Sequence, residues 1–155
     1  NPIREEQFFS AKKCAHSINI LCVITADATR VLYLSPSFPG SVSDMEIVRK
    51  TRGEWLDLLS EGENGLADAG FQGLREEGIR IDTPPGGKRG THYALFSSAR
   101  IPVEQKLAAF KAWSALSLPM RVSPNNFEKA LHLHHLHWTV VGVILNDFAG
   151  YRRCL

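Results

Sequence analysis

Too few cysteines, no long apolar run and no dominant charge sign set the first limits on this sequence. Cys14, Cys22 and Cys154 are an odd number in 155 residues and show no C-x-x-C spacing. That pattern fits neither a disulfide framework nor a thiolate zinc knuckle, and a reducing interior is the expected setting. The longest apolar stretches, Ile20 to Ile24 and Val140 to Leu145, fall far below the roughly 18 to 20 residues of a membrane helix. Neither a membrane span nor a signal peptide is expected. Eighteen Lys and Arg against sixteen Asp and Glu leave a formal charge of only +2, so any anionic partner is met by local patches rather than by an overall field. At 44% apolar and 22% charged, the chain is no disordered tail. No repeat, low-complexity tract or linker divides it, and residues 1–155 read as one domain. The chain opens on Asn-Pro rather than Met, and is expected to be a piece of a longer protein.

Ser17 to Thr25 (SINILCVIT) is a β-branched and apolar run of the kind buried on both faces of a sheet. After the turn-like Ala26 to Thr29, Val31 to Leu34 (VLYL) completes an expected antiparallel hairpin. Ser43 to Glu46 is an S-x-x-E capping box that opens a helix running to about Thr51, and a second helical piece is expected near Glu54 to Leu59. Gly65 to Asp68 and Gly78 to Ile81 read as short strands. Pro84 to His92 (PPGGKRGTH) suits no regular element, because Pro lacks the amide donor and Gly is costly to order; it reads as a basic loop. Val103, Leu107, Phe110 and Ala115 recur near helical period within an expected helix from Ser97 to Leu116. A last helix, about Asn126 to Phe148, has Leu133, Leu136, Val140 and Ile144 as its expected inward stripe. The order implies an α/β chain with a mixed sheet flanked by helices.

Among the carboxylates, Asp68 closes an apolar strand just before an Ala-Gly turn, the edge where open α/β sheets place ligands. Glu104 lies on the long helix, one turn beyond Arg100. Each also has a plain structural reading: Asp68 as a turn former, and Glu104 as an i, i+4 ion pair with Arg100. His132, His134, His135 and His137 lack the HExxH spacing of a metal helix and read as a polar helix flank. Trp55, Trp113 and Trp138 sit in apolar periodic text and read as core. The lysines and arginines are scattered in sequence, with Lys12, Lys13, Lys88, Arg89, Arg100 and Lys111 as candidate phosphate contacts.

Four segments in order carry a resemblance over nearly the whole chain. They are Lys12-Lys13 before the first strand, Phe38-Pro39-Gly40-Ser41-Val42-Ser43-Asp44, Leu66-Ala67-Asp68-Ala69-Gly70-Phe71, and Arg100-Ile101-Pro102-Val103-Glu104 with Lys111 following. They resemble the S-G-K-K, P-G-S-x-x-D, L-x-A-D-x-G-[YF] and R-x-x-V-E-x-x-x-G-x-x-K words of the DDE superfamily endonucleases of Harbinger-type transposases. Val141 to Phe148 (VGVILNDF) resembles the family's closing LHN helix. The resemblance implies an RNase H-like fold, and an acidic triad holding two Mg²⁺ or Mn²⁺ ions. It further implies cleavage and joining of double-stranded DNA by in-line attack of water or a 3′-hydroxyl. Asp68 and Glu104 take the places of the second and third acids, both catalytic and metal-ligating, and Lys12, Lys13, Lys88, Arg89, Arg100 and Lys111 are the expected contacts to the DNA phosphates. A separate DNA-binding protein or a second copy of the chain is the further partner implied. The setting implied is the nucleus of a eukaryote, or otherwise the cytoplasm.

The family's first acid precedes the region resembled by residues 1–13, so the first central strand and its Asp are expected to be missing from this chain. Asp27 reads instead as a turn residue and Asp44 as a first-turn carboxylate favoured by the helix dipole. Ser43 stands where the family usually has His, and Ala11 and Ala108 where it has Gly. Such departures fit the alternative of a domesticated, non-catalytic module that binds DNA or protein on the same scaffold.

Overall fold

The apolar run that begins at Ser17 alternates between two sets of side chains, and a computed structural model shows a separate cover for each. The structure describes residues 5–84, 91–120 and 126–149. The segment opens with β1 (Phe9–Ser10) and β2 (Ala15–His16), paired antiparallel. The expected long strand is split: β3 (Ile18–Asn19) pairs with β6 (Phe38–Pro39), while β4 (Cys22–Ile24) pairs with β5 (Val31–Leu34). Both pairs are antiparallel, so the predicted hairpin is present at β4 and β5, with a register shift between Val23 and Ile24. Asp27 organises its turn: Oδ1 accepts from Thr25 Oγ1 at 2.7 Å, Thr29 N at 3.0 Å and Thr29 Oγ1 at 2.7 Å.

One face of the hairpin, Leu21, Val23 and Tyr33, packs on a buried cluster of Val48, Trp55, Leu74, Ile79 and Ile81. The first two of these come from α1 (Asp44–Trp55), whose N-cap is Ser43, with Oγ accepting from Glu46 N at 3.2 Å. The Ser43 cap is therefore real, but the Glu46 carboxylate pairs with Lys50 rather than closing the box, and the helix outruns its expected end by one turn. It then passes into a 3-10 turn over Leu56–Leu58 where the pattern predicts a separate helix. The reason is Trp55, whose buried side chain belongs to the same inward stripe as Val48. Behind the cluster, β7 (Gly65–Leu66) and β8 (Ile81–Asp82) pair in parallel.

The other face, Ile20, Cys22, Val31 and Leu34, packs on Phe110, Trp138 and Val141. These belong to α2 (Thr91–Lys111) and α4 (Phe127–Ala149), with a short α3 (Ser114–Ser117) between them. α2 starts six residues earlier than the pattern suggests, taking in His92; residues 85–90 of the expected loop lie outside the described residues. It also stops sooner, at an extended Trp113 that is exposed rather than core. Pro102 removes one donor from the ladder of α2. Among the described residues the strands form four two-stranded pairs rather than one continuous sheet, and the architecture is mixed α/β with the hairpin between two helical covers.

The expected inward stripe of α4 is corrected: Leu136 and Val140 are 45% and 50% exposed, whereas Ala130, Trp138 and Val141 are buried. α4 is apolar around most of its circumference, so periodicity alone does not choose a face. Polar groups and a small residue choose it. Trp138 Nε1 donates to His134 Nε2 at 3.1 Å, and His134 Nδ1 meets Ser37 Oγ at 2.6 Å. A Cβ at Gly142 would sit 3.1 Å from Leu34 Cδ1, so the glycine lets the helix lie close on β5. Asn146 closes the edge of that strand, its Oδ1 accepting from Val31 N at 2.7 Å and its Nδ2 donating to Val31 O at 3.0 Å.

Two outcomes follow. Asn146→Ala leaves both backbone groups of a half-buried strand residue unpartnered, a loss of about 2 to 3 kcal/mol; the thermal midpoint should fall by about 4 to 10 °C. His134 gives a pH dependence. Burial pushes its pKa down to about 4, with His137 and His135 adding repulsion, while the unfolded ring titrates near 6.5. The unfolded chain therefore takes up the proton first. Stability from this ring is complete above pH 6.5 and is lost as pH falls toward 4, by on the order of 1 to 2 kcal/mol after allowance for its partial exposure. Urea midpoints at pH 7 and pH 4.5 should differ more in the unsubstituted protein than in His134→Gln; equal differences would count against this role.

Candidate active site

Asp68 leaves β7 in an extended conformation and caps a 3-10 turn over Ala69–Phe71, its Oδ1 accepting from Gly70 N at 2.8 Å. Gly70 suits that turn, since a Cβ there would lie 3.0 Å from the same oxygen. Asp68 Oδ2 has no partner among the described residues, and the side chain is exposed. Gly65 and Ala67 look toward α1: a Cβ on Gly65 would lie 3.8 Å from Trp55 Cζ3, and Ala67 packs on the Trp55 cluster. Side chains alternate along an extended segment, so Leu66 and Asp68 project to the side away from α1, where Leu66 is 56% exposed.

Glu104 lies on a different element. It is exposed on α2, which covers the hairpin face opposite α1, and its Oε1 accepts from Arg100 Nη2 at 3.2 Å. Arg100, Glu104 and Lys111 are spaced by four and seven residues, which places them on one helix face, and all three are exposed. Each carboxylate thus has its own local partner. Between them the described residues show no hydrogen bond and no shared partner. Nor do the described residues gather three or more His, Cys, Asp or Glu side chains as a metal cage.

The other predicted contacts are spread more widely. Lys12 is exposed at the tip between β1 and β2, and Lys13 Nζ donates to Asn19 Oδ1 at 2.9 Å. Lys88 and Arg89 lie outside the described residues. Asp27 and Asp44 hold the turn and the first helical turn that the sequence assigns to them. The histidines are corrected: rather than a solvated flank, His134 and His135 dock α4 on the 35–37 segment, His135 Nδ1 lying 3.0 Å from Ser35 O.

Sequence reasoning misses the role of Lys106, which is only 9% exposed. Its Nζ donates to Thr29 O at 3.1 Å and Leu145 O at 3.4 Å, tying α2 to the hairpin turn and to α4. Burial pulls its pKa down, partly offset by Cys22 and Asp27. Burial likewise pushes the Cys22 thiol up to about 12, which leaves it neutral and inert in the core. Sequence reasoning also misses Asp82, ion-paired with Arg75 and accepting from Asn64 Nδ2 at 2.8 Å. Two shallow recesses, of about 190 and 390 Å³, flank that pair. Neither includes Asp68 or Glu104, and the Asp82 carboxylate is already neutralised.

Asp68 and Glu104 offer only oxygen donors, and Asp68 keeps one oxygen uncommitted. Such donors suit a hard divalent cation such as Mg²⁺ or Mn²⁺. A family model described as DDE superfamily endonuclease matches residues 1–136. No curated protein and no solved structure matches the chain significantly.

The turn at Asp68 makes its charge separable from its fold. An Asn side-chain oxygen caps as well as that of Asp, so Asp68→Asn should change the urea-derived stability by less than about 0.5 kcal/mol. A larger loss would mean that the carboxylate is held for structure.

Proposed function

We propose, given that the chain belongs to the DDE superfamily endonuclease family, that residues 1–155 form a nuclease and strand-transfer domain of a Harbinger-like transposase. The proposed scaffold is RNase H-like and the substrate double-stranded DNA. One observation carries the reading: Asp68, at the end of a parallel strand, keeps a carboxylate oxygen with no partner among the described residues, and Glu104 is likewise exposed on α2. Those two side chains would hold Mg²⁺ or Mn²⁺, and when bound the ion supplies positive charge where negative charge builds on the phosphate. Arg100 and Lys111 share the face of Glu104 and supply phosphate contacts. Lys12 lies on the separate β1–β2 hairpin and serves the DNA flanking the cut. A second copy or a separate DNA-binding protein selects the DNA ends.

A second reading, a non-catalytic DNA- or protein-binding module, draws on the pairing of Glu104 with Arg100. That pair is solvent-exposed and holds Glu104 only weakly, so the endonuclease reading stands first. The two separate by experiment. In the full-length protein, Asp68→Asn should reduce Mg²⁺-dependent nicking of supercoiled plasmid to background while DNA binding in EDTA persists, because a neutral amide does not balance the cation's charge. Undiminished nicking at equal purity would count decisively against the assignment.

A further inference from the structure

We propose that the β1–β2 hairpin is a stacking site for an unpaired DNA base, with Lys12 on the neighbouring phosphate. The inference rests on the endonuclease reading for the identity of the polymer, but on its own geometry for the mode of contact. Side chains alternate along the first strand: Phe8 is buried against the Phe127 ring at 5.1 Å and Ser10 is buried, whereas Phe9 between them is 46% exposed. Phe9 faces His16 directly across the pair, the two rings meeting edge to face at 5.8 Å and 74°. His16 is also exposed. Two outward rings on adjacent strands of an anchored hairpin are held in place before any ligand arrives, so little ordering entropy is lost on contact.

The hairpin is fixed at both ends. Ser17 N donates to Phe8 O at 2.7 Å at its base, and Lys13 N donates to Ser10 O at 3.2 Å in its tip, where Cys14 adopts a φ of 50°. Lys13 is held by Asn19, whereas Lys12 at the tip is exposed and has no partner among the described residues. Glu5 and Glu6 on the preceding turn offset the two lysines, so charge alone does not make this surface a duplex clamp. Stacking does the recognising. Bases inside a duplex have both faces covered, and only an unpaired base offers one to an aromatic ring. The fitting ligand is therefore a short single-stranded stretch, such as a frayed or freshly cut DNA end.

Equilibrium binding in EDTA decides this without any cleavage, so failure here and failure of the endonuclease reading remain distinguishable. The probe is a short single-stranded oligonucleotide carrying one 2-aminopurine, compared with its duplex. In the full-length protein, Phe9→Ala should weaken single-strand binding by about 5- to 100-fold and remove quenching of the 2-aminopurine, with duplex affinity unchanged within twofold. Phe9→Trp should retain both signals. Lys12→Ala should lower the salt dependence of single-strand binding by about 0.7 in log–log slope. His16→Ala provides the same readout through the other ring and decides the matter if circular dichroism shows Phe9→Ala to be unfolded. Equal affinity of Phe9→Ala and the unsubstituted protein overturns the proposal. So does full affinity in Phe9→Leu, which keeps an apolar contact without a ring face, or failure of the unsubstituted protein to bind the single strand.

Discussion

Burial of both faces of the hairpin β4–β5 is the constraint on which the remaining architecture depends. Ile20 and Cys22 go to one side, Leu21 and Val23 to the other. Each fully buried aliphatic side chain contributes about 1.5 to 3 kcal/mol, and an isolated two-stranded hairpin is marginal in water. Neither cover is therefore dispensable: α1 with the 65–82 segment holds one face, and α2 with α4 the other. The hairpin also fixes how the covers sit. Asn146 gives β5 the hydrogen bonds that a further strand residue would give, and Lys106 seals the turn end by filling carbonyls of the turn and of α4. An ammonium in that position is tolerated because two backbone carbonyl oxygens take the place of water around it.

A second crossing ties the start of the chain to α1. A Cβ on Gly40 would meet Phe8 O at 2.5 Å and Ser17 O at 2.7 Å, so only glycine lets the two backbones pass. Asn19 Nδ2 donates to Val42 O at 3.0 Å across the same junction. The Phe38–Asp44 segment, which reads in sequence as a family word, is thus a packing device: a close backbone approach followed at once by the helix cap at Ser43. Its consequence for the surface is that β1 and β2, and with them Phe9 and Lys12, are held at a fixed place relative to the body.

Features that depend on neighbours in sequence are legible in the amino-acid order itself. The Ser43 cap, the Asp27 turn and the Asp68 turn each rest on contacts spanning at most a few residues, where side-chain chemistry competes directly for nearby amides, and the hairpin pairs residues no more than 12 apart across that turn. Features decided by partners far along the chain are not. The buried face of α4 escapes periodicity because Leu136 and Val140 are as apolar as Trp138 and Val141, and what selects between them is Ser37 and Leu34, about a hundred positions away. His134 reads as surface for the same reason: its partner Ser37 is invisible to periodicity. Lys106 reads as one more solvated cation because nothing local announces two carbonyls from other elements. The endonuclease family is legible because its words lie on the local features, at the cap, at the turn and along one face of α2.

That division bears on the acids themselves. Asp68 and Glu104 are both held by contacts a reader of sequence expects, an Asx-type turn and an i, i+4 pair, yet those contacts do not compete with a role in catalysis. The turn at Asp68 occupies one carboxylate oxygen and aims the other outward. The Arg100–Glu104 pair is exposed on both sides, with side chains 54% and 64% accessible, so its bond to Arg100 is readily exchanged for another cation or for phosphate. By contrast, Arg49 and Glu77 form a two-pronged pair at 2.6 and 2.7 Å that locks α1 to the segment behind it, and Asp82 is matched to Arg75. The Glu77 and Asp82 carboxylates are thus doubly engaged, whereas Asp68 and Glu104 are singly engaged, as Glu46, Glu54 and Glu63 also are. Single engagement is what a ligating carboxylate needs: enough to fix its direction, with an oxygen left to give.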